Sequence, residues 1–321
     1  MIFLYSSDIN YVDISKISIA SLFEANSGEK IKIYYIDDRI GEDNKKWLTN
    51  LAERNNAEII FIDAGIIDTS FITKDTYSAA GYYRILISDI IPEDKVIYID
   101  CDTIILNSFH DLWKTDISDY LIAGVKDTVQ SFVATSVGLE NNSQYINAGI
   151  LYLNLKKWRE ENVNAQVRNA FAAFNGKVPH HDQGVINYIA KGRMMYLPVK
   201  YNLMSQFLYF KRNELISLYK LKDFYTEEEI IEAKNNPVVV HLISKFYGRP
   251  WYLHSGHPYT PLFDEIANKY GIKLNKQDKP LDTHIQIRKK LYEHTPFCVY
   301  LLLERLLDFK RWLKFRKLYK A

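Results

Sequence analysis

The feature that most constrains this chain is a short apolar run that stops abruptly on charge. Val96-Ile97-Tyr98-Ile99 follows a Pro92-Glu93-Asp94 turn signal and ends in Asp100-Cys101-Asp102. A β-branched and aromatic run without polar alternation suits a strand buried on both faces of a parallel sheet. Side chains alternate along an extended chain, so Asp100 and Asp102 are expected to point the same way at its C-terminal end. Two carboxylates so placed repel each other unless a cation or a proton sits between them. Ligands of open α/β sheets bind at that edge, and paired hard oxygen donors suit Mn²⁺, or Mg²⁺, bridging to a diphosphate. An isolated Asp-x-Asp also closes ordinary strands as a polar turn. The weight therefore rests on what surrounds it.

The surroundings supply the sheet. Residues 2–5, 31–36 and 58–62 read as strands, separated by helical patterns that begin near Ile14 and over 44–55. A further helix is expected over 78–90, leading into the strand that carries the paired aspartates. Strands follow at 121–125 and after Asn147-Ala148-Gly149, the latter handing over to one helix that runs to about 174. Another helix opens at His180-His181-Asp182-Gln183-Gly184. A last strand, 237–241, ends in His241, with Lys245 and Arg249 within the next eight positions. The class predicted is α/β, a Rossmann-like, mostly parallel sheet flanked by helices. No two glycines are separated by a single residue, so no G-x-G-x-x-G follows a strand, and there is no G-x-x-x-x-G-K-[ST]. A nucleotide bound here needs a metal to help hold its phosphates.

These pieces, taken in order, resemble the family 8 retaining glycosyltransferases. The set is Ser7-Asp8-Ile9-Asn10-Tyr11 at the end of the first strand, Tyr83-Arg84, the Asp-x-Asp, Asn147-Ala148-Gly149, Asp182-Gln183, and His241 followed by Arg249-Pro250-Trp251. The likeness covers about residues 1–270 and is specific as a set. It implies a GT-A fold, an Mn²⁺ cofactor and a UDP-glucose or UDP-galactose donor. It also implies an α-linked product on a glycan or lipid-linked saccharide acceptor. By the same resemblance Asp100, Asp102 and His241 hold the metal. Asp8, Asn10 and Tyr11 contact uridine and ribose beside Cys101, and Arg84 lies near the donor sugar. Asp127, Asn147, Asp182 and Gln183 line the sugar side, with Gln183 beneath the anomeric carbon; the sequence itself also offers Asp182 as a carboxylate nucleophile. The chain departs from the family after His241. Ser244 stands where members commonly have Gly, and Arg249-Pro250-Trp251 begins eight residues on, in place of a Lys-Pro-Trp six residues on. Either Lys245 or Arg249 would then meet the diphosphate, and Arg is not a neutral replacement for Lys.

Two other functions compete. A strand-end Asp-x-Asp also opens haloacid-dehalogenase-like phosphatases, with Asp100 as nucleophile. Such motifs usually sit on the first strand and carry Thr or Val where this chain has Ile104 on its fourth. A UDP-sugar-binding module without turnover is the other, opposed by the retention of both aspartates, His241 and basic residues.

The division expected is a GT-A domain over 1–271, a linker over 272–283 and a helical tail over 284–321. The tail holds ten Lys or Arg against three acids, a balance of +7 that leaves the rest of this +2 chain at −5. Leu302, Leu306, Phe309 and Leu313 share one helix face there. The tail therefore reads either as a helix docked on the body or as a basic amphipathic helix on an anionic membrane. Two cysteines with no pairing pattern, an N-terminus reading as a strand and no long apolar run point to the cytoplasm, and the membrane reading of the tail makes the protein peripheral at the inner face of the plasma membrane. Nothing in the sequence points to nucleic acid.

Overall fold

The computed structural model describes residues 1–72 and 79–319. Strands β1 (Ile2–Asp8), β2 (Lys32–Asp38) and β3 (Glu58–Asp63) alternate with helices α1 (Val12–Ala25) and α2 (Glu42–Arg54). Then come β4 (Val96–Ile99), β5 (Thr103–Ile105), α3 (His110–Lys114), β6 (Ile122–Lys126), α4 (Ser131–Ser136) and β7 (Ile146–Leu153). The middle of the chain forms α5 (Leu155–Glu160), α6 (Val163–Ala173), α7 (His181–Ile189), β8 (Met194–Tyr196), β9 (Leu203–Met204) and α8 (Ser205–Tyr209). It closes with α9 (Arg212–Tyr219), α10 (Glu227–Asn235), β10 (Val239–His241), α11 (Thr260–Lys269), α12 (Thr283–His294) and α13 (Phe297–Tyr319).

One sheet has the order β3-β2-β1-β4-β7-β6-β8. Its β1–β2, β2–β3, β1–β4 and β6–β8 pairings are parallel, but β7 runs antiparallel to both its neighbours. The sheet is thus mostly parallel, as expected, with one reversed central strand. All four residues of β4 are buried, which is what its unbroken apolar run demands. Alternation splits them: Ile97 and Ile99 join Phe3 and Tyr5 in one core, while Val96 and Tyr98 join Leu4, Leu151 and Trp158 in the core across the sheet.

A second, three-stranded sheet of order β5-β10-β9 sets the functional geometry. Its antiparallel register places His241 opposite Thr103, and the Leu242 amide donates to the Asp102 carbonyl at 2.8 Å. A histidine 139 residues downstream is thereby fixed beside the paired aspartates.

Two local expectations change. Where a helix was predicted over 78–90, the described part is a 3₁₀ segment, Ala79–Ile85, followed by turns; Ser78 lies outside the described residues. Tyr82 and Tyr83 insert into the second core, and that packing overrides local helix preference. The single helix expected up to residue 174 is broken at Asn162, which adopts a left-handed conformation that Asn tolerates and caps α6 through its side chain.

The C-terminal helices pack on the body. Tyr300 is buried in the first core, and Tyr292 packs against Tyr209 and Phe210. Glu304, also buried, accepts from Arg288 of α12 and Arg311 of α13. Phe315 meets Phe132, Gln130 donates to Asp308, and Arg305 donates to the Ser217 carbonyl. The opposite face of α13 is bare: Leu302, Leu306, Phe309 and Leu313 are exposed, flanked by exposed Lys310, Lys314, Arg316 and Lys317.

Candidate active site

A cleft of about 600 Å³ opens at the C-terminal ends of β1 and β4, where β7 begins. Asp100 and Asp102 project into it with His241, and one ligand atom from each lies within 4.8 Å of the others. The surroundings orient each of them. The Oδ1 atom of Asp100 accepts from Arg84 Nη1 and from the Tyr98 hydroxyl, both at 2.6 Å, leaving Oδ2 turned to His241 Nε2 at 3.8 Å. Asp102 Oδ1 lies 3.2 Å from the same nitrogen, while Oδ2 accepts from Arg249.

His241 is held from behind. Its Nδ1 donates to Asn202 Oδ1 at 3.0 Å, and Asn202 Nδ2 donates to Asn147 Oδ1 at 2.8 Å. The chain of amides fixes the tautomer and leaves the Nε2 lone pair aimed at the two carboxylates, the arrangement metal-bound histidines use. Burial pushes the imidazolium down in pKa, but Asp102 and then Asp100 oppose it, and the net direction is up. Burial also works against ionised Asp102, yet His241 and Arg249 outweigh it and hold that carboxyl well below the usual range. Two carboxylates and a neutral imidazole nitrogen are a donor set that could hold a divalent cation in place of that proton.

Gly149 is required here. A Cβ on it would stand 2.2 Å from Cε1 of His241 and 2.5 Å from its Nδ1. Its carbonyl accepts the Asp100 amide at 2.8 Å, so the Asn147-Ala148-Gly149 segment is clasped directly to the Asp-x-Asp strand.

The opposite wall comes from the start of α7. His180 and His181 both adopt left-handed conformations, and the turn brings the Pro179 carbonyl to 1.7 Å from where a Cβ of Gly184 would be. Asp182 and Gln183 face the cleft from this turn. Asp182 is buried and its Oδ2 lies 3.0 Å from Arg84 Nε, whose proton is directed to the Gly81 carbonyl. Gln183 accepts from the Ala148 amide at 3.1 Å and donates to Asp127 at 3.0 Å.

Asp8, Tyr11, Arg84, Asp100, Cys101, Asp102, Asn147, Asp182, Gln183, His241 and Arg249 all line this cleft. Asn10, Asp127 and Lys245 do not. Asn10 donates to Asp8 within a tight turn, and Asp127 sits behind Asn147 and Gln183, accepting from both. The thiol of Cys101 donates to the Ser6 carbonyl and is pushed up in pKa by burial. Tyr11 meets Trp251 edge to face, and Arg249 lies over the same indole. Lys245 turns away, donating to the Tyr219 hydroxyl at 2.7 Å on the side facing α13. Sequence reasoning missed Tyr98 and Asn202. Tyr98 was within reach, because it shares the strand face of Asp100 and Asp102; Asn202 sits in no recognisable pattern.

A family model for glycosyl transferase family 8 matches residues 2–252. The chain belongs to that family. A putative glycosyltransferase of Haemophilus influenzae is 34% identical over 206 residues, which span 62% of each chain. The lipopolysaccharide glucosyltransferase WaaO of Escherichia coli is 27% identical over 86% of this chain and 80% of its own length. The galactosyltransferase LgtC, solved with donor and acceptor sugar analogues, superposes with a TM-score of 0.69 at 23% identity, covering 84% of this chain and 96% of that one. The family 8 chain therefore has the GT-A fold. No helix among the described residues is long and apolar enough to cross a membrane.

Asp182 yields a prediction about pH. Burial raises its carboxyl from 3.8 to about 6, opposed by Arg84 and reinforced by Asp100. A carboxyl raised in the folded state contributes stability below its unfolded value and loses it as pH climbs through the folded one. Relative to Asp182→Asn, the wild type should therefore lose about 2.5 kcal/mol between pH 4 and pH 7. Urea unfolding of both proteins across that range measures it, and a constant difference would refute the assignment.

Proposed function

We propose that this chain transfers a hexose, glucose or galactose, from a UDP-sugar to a saccharide acceptor with retention of configuration, assisted by Mn²⁺. The observation that carries the reading is the convergence of Asp100, Asp102 and His241, with Arg249 against Asp102 and Gln183 across the cleft. A divalent ion held by the three would neutralise charge on the departing diphosphate.

The remaining chemistry belongs to the side chains. The guanidinium of Arg249 stands on Trp251 at the cleft wall, so turning it from Asp102 presents two donors to a phosphate without moving the backbone. Arg84 neutralises Asp100 and Asp182 together, which keeps three carboxylates tolerable in one site. Asp182 is buried and paired with Arg84, a poor arrangement for a nucleophile. The amide of Gln183 is on the cleft surface and held from both ends. This supports front-face attack, with that amide oxygen facing the positive charge that develops at the anomeric carbon. The phosphatase reading loses ground, because Asp100 accepts from Arg84 and Tyr98 on one oxygen and faces His241 with the other, leaving no free nucleophile.

The bare face of α13 supports a peripheral role on the cytoplasmic face of an anionic membrane, near a lipid-linked acceptor. Each Lys or Arg at such a surface contributes about 1 kcal/mol, screened by salt.

A panel of UDP-sugars assayed with Mn²⁺ tests the activity. One hexose donor should turn over, EDTA should abolish the reaction, and Asp102→Ala should cost about 10³-fold in rate. The anomeric proton signal of the product should be that of an α-linkage. Full activity in chelator, or a β-linked product, would overturn the reading. Arg249→Ala should lower turnover by at least about tenfold and by more than Lys245→Ala, since a charge-assisted contact to the diphosphate goes; the reverse order would move the phosphate clamp to Lys245. Substituting Leu302, Leu306, Phe309 and Leu313 together by Ser leaves the docked face intact. Sedimentation with phosphatidylserine vesicles should show strong, salt-sensitive binding for the wild type and little for this variant. Equal binding by both would exclude the membrane role.

A further inference from the structure

Between α13 and the body lies a second cavity, of about 510 Å³, which shares His180 with the catalytic cleft. It is unusually cationic. Lys245, Arg288, Arg311 and Lys314 line it against one acid, Glu304. That acid is already committed: Arg288 donates to both its oxygens at 2.6 and 2.9 Å, and Arg311 adds a third contact at 3.2 Å. Among the described residues no carboxylate pairs with Lys245 or Lys314.

Lys245 is the more telling of the two. It is half-buried, and its ammonium sits among the rings of Phe210, Tyr219 and Phe246, 5.4–6.0 Å from their centroids. One of its three protons goes to the Tyr219 hydroxyl. Its backbone is left-handed, with φ of +37°, a conformation that costs a non-glycine residue energy and persists only where the surroundings impose it. An ammonium held off the cleft in this way, without a counter-ion and with donors to spare, wants an anion.

We propose that this cavity binds a phosphate group carried by the acceptor, so that the saccharide receiving the hexose is a phosphorylated one. The idea rests on the transferase reading above and assigns the acceptor class. Lys245 and Lys314 supply the charge, and the aromatic wall offers flat faces to a sugar ring. His180 is the shared boundary across which the acceptor reaches Gln183. The donor diphosphate is not the intended anion, because Lys245 is absent from the cleft that holds Asp102 and Arg249.

Equilibrium dialysis with the full chain, its donor cleft saturated with UDP and Mn²⁺, tests this. UDP binding is read first, and its failure would sink the transferase reading and not this one alone. Glucose 1-phosphate should then bind at least tenfold more tightly than methyl α-glucoside, and more tightly than inorganic phosphate. Lys245→Met should reduce the preference for the phosphorylated sugar to about twofold, whereas Lys245→Arg keeps it. Lys314→Met, on an exposed helix position, should weaken it several-fold. Equal binding of the two sugars, binding of inorganic phosphate as tight as that of glucose 1-phosphate, or an undiminished preference in both methionine variants would overturn the proposal.

Discussion

The site depends on keeping Asp100 and Asp102 together at one strand end, which Coulomb repulsion opposes. The fold solves this by giving each carboxylate its own cation and leaving one oxygen of each directed at a common point. Arg84 and Tyr98 occupy one side of Asp100, Arg249 one side of Asp102, and His241 faces what remains. Other parts of the site follow from that requirement. The 3₁₀ segment exists where Arg84 must arrive, stacked over Tyr98 with its guanidinium 4.5 Å from the ring centroid. The small sheet exists where His241 must arrive, and the amides of Asn202 and Asn147 determine which nitrogen it presents.

Much of this was legible in the residues themselves. The unbroken apolar run of β4 announced a strand buried on both faces, and simple alternation placed both aspartates on one side of it. What was not legible was direction. Ile146–Leu153 is buried at every position, and a strand with no exposed face reads the same whether it runs parallel or antiparallel. The strands that carry His241 to Asp102 are two or three residues long, below what any periodicity can register. Their pairing was accessible only through likeness to a family. The helix expected over 78–90 failed for a different reason: Tyr82 and Tyr83 gain more by entering the core than the backbone gains by continuing a helical ladder.

The tail shows how a pattern can identify a helix face without saying what that face does. The periodicity of Leu302, Leu306, Phe309 and Leu313 correctly identified a shared face, but that face is the bare one. Docking is done by Tyr300, Glu304, Arg305, Asp308, Arg311 and Phe315, among them a buried acid no hydrophobicity pattern would select. A charged cluster around Glu304 thus joins α12 to α13, and its loss would leave a buried charge uncompensated.

The absence of a side chain at Gly149 has a consequence for how such an enzyme can diversify. The imidazole of His241 occupies the volume that a methyl group would need, so even alanine, the smallest chiral replacement, collides with the ring. Variation at this position is therefore closed in any descendant that keeps the histidine in place. Change in this cleft must therefore come through its other walls, such as the turn that opens α7. The centre of the site is frozen by geometry, and novelty is confined to its margins.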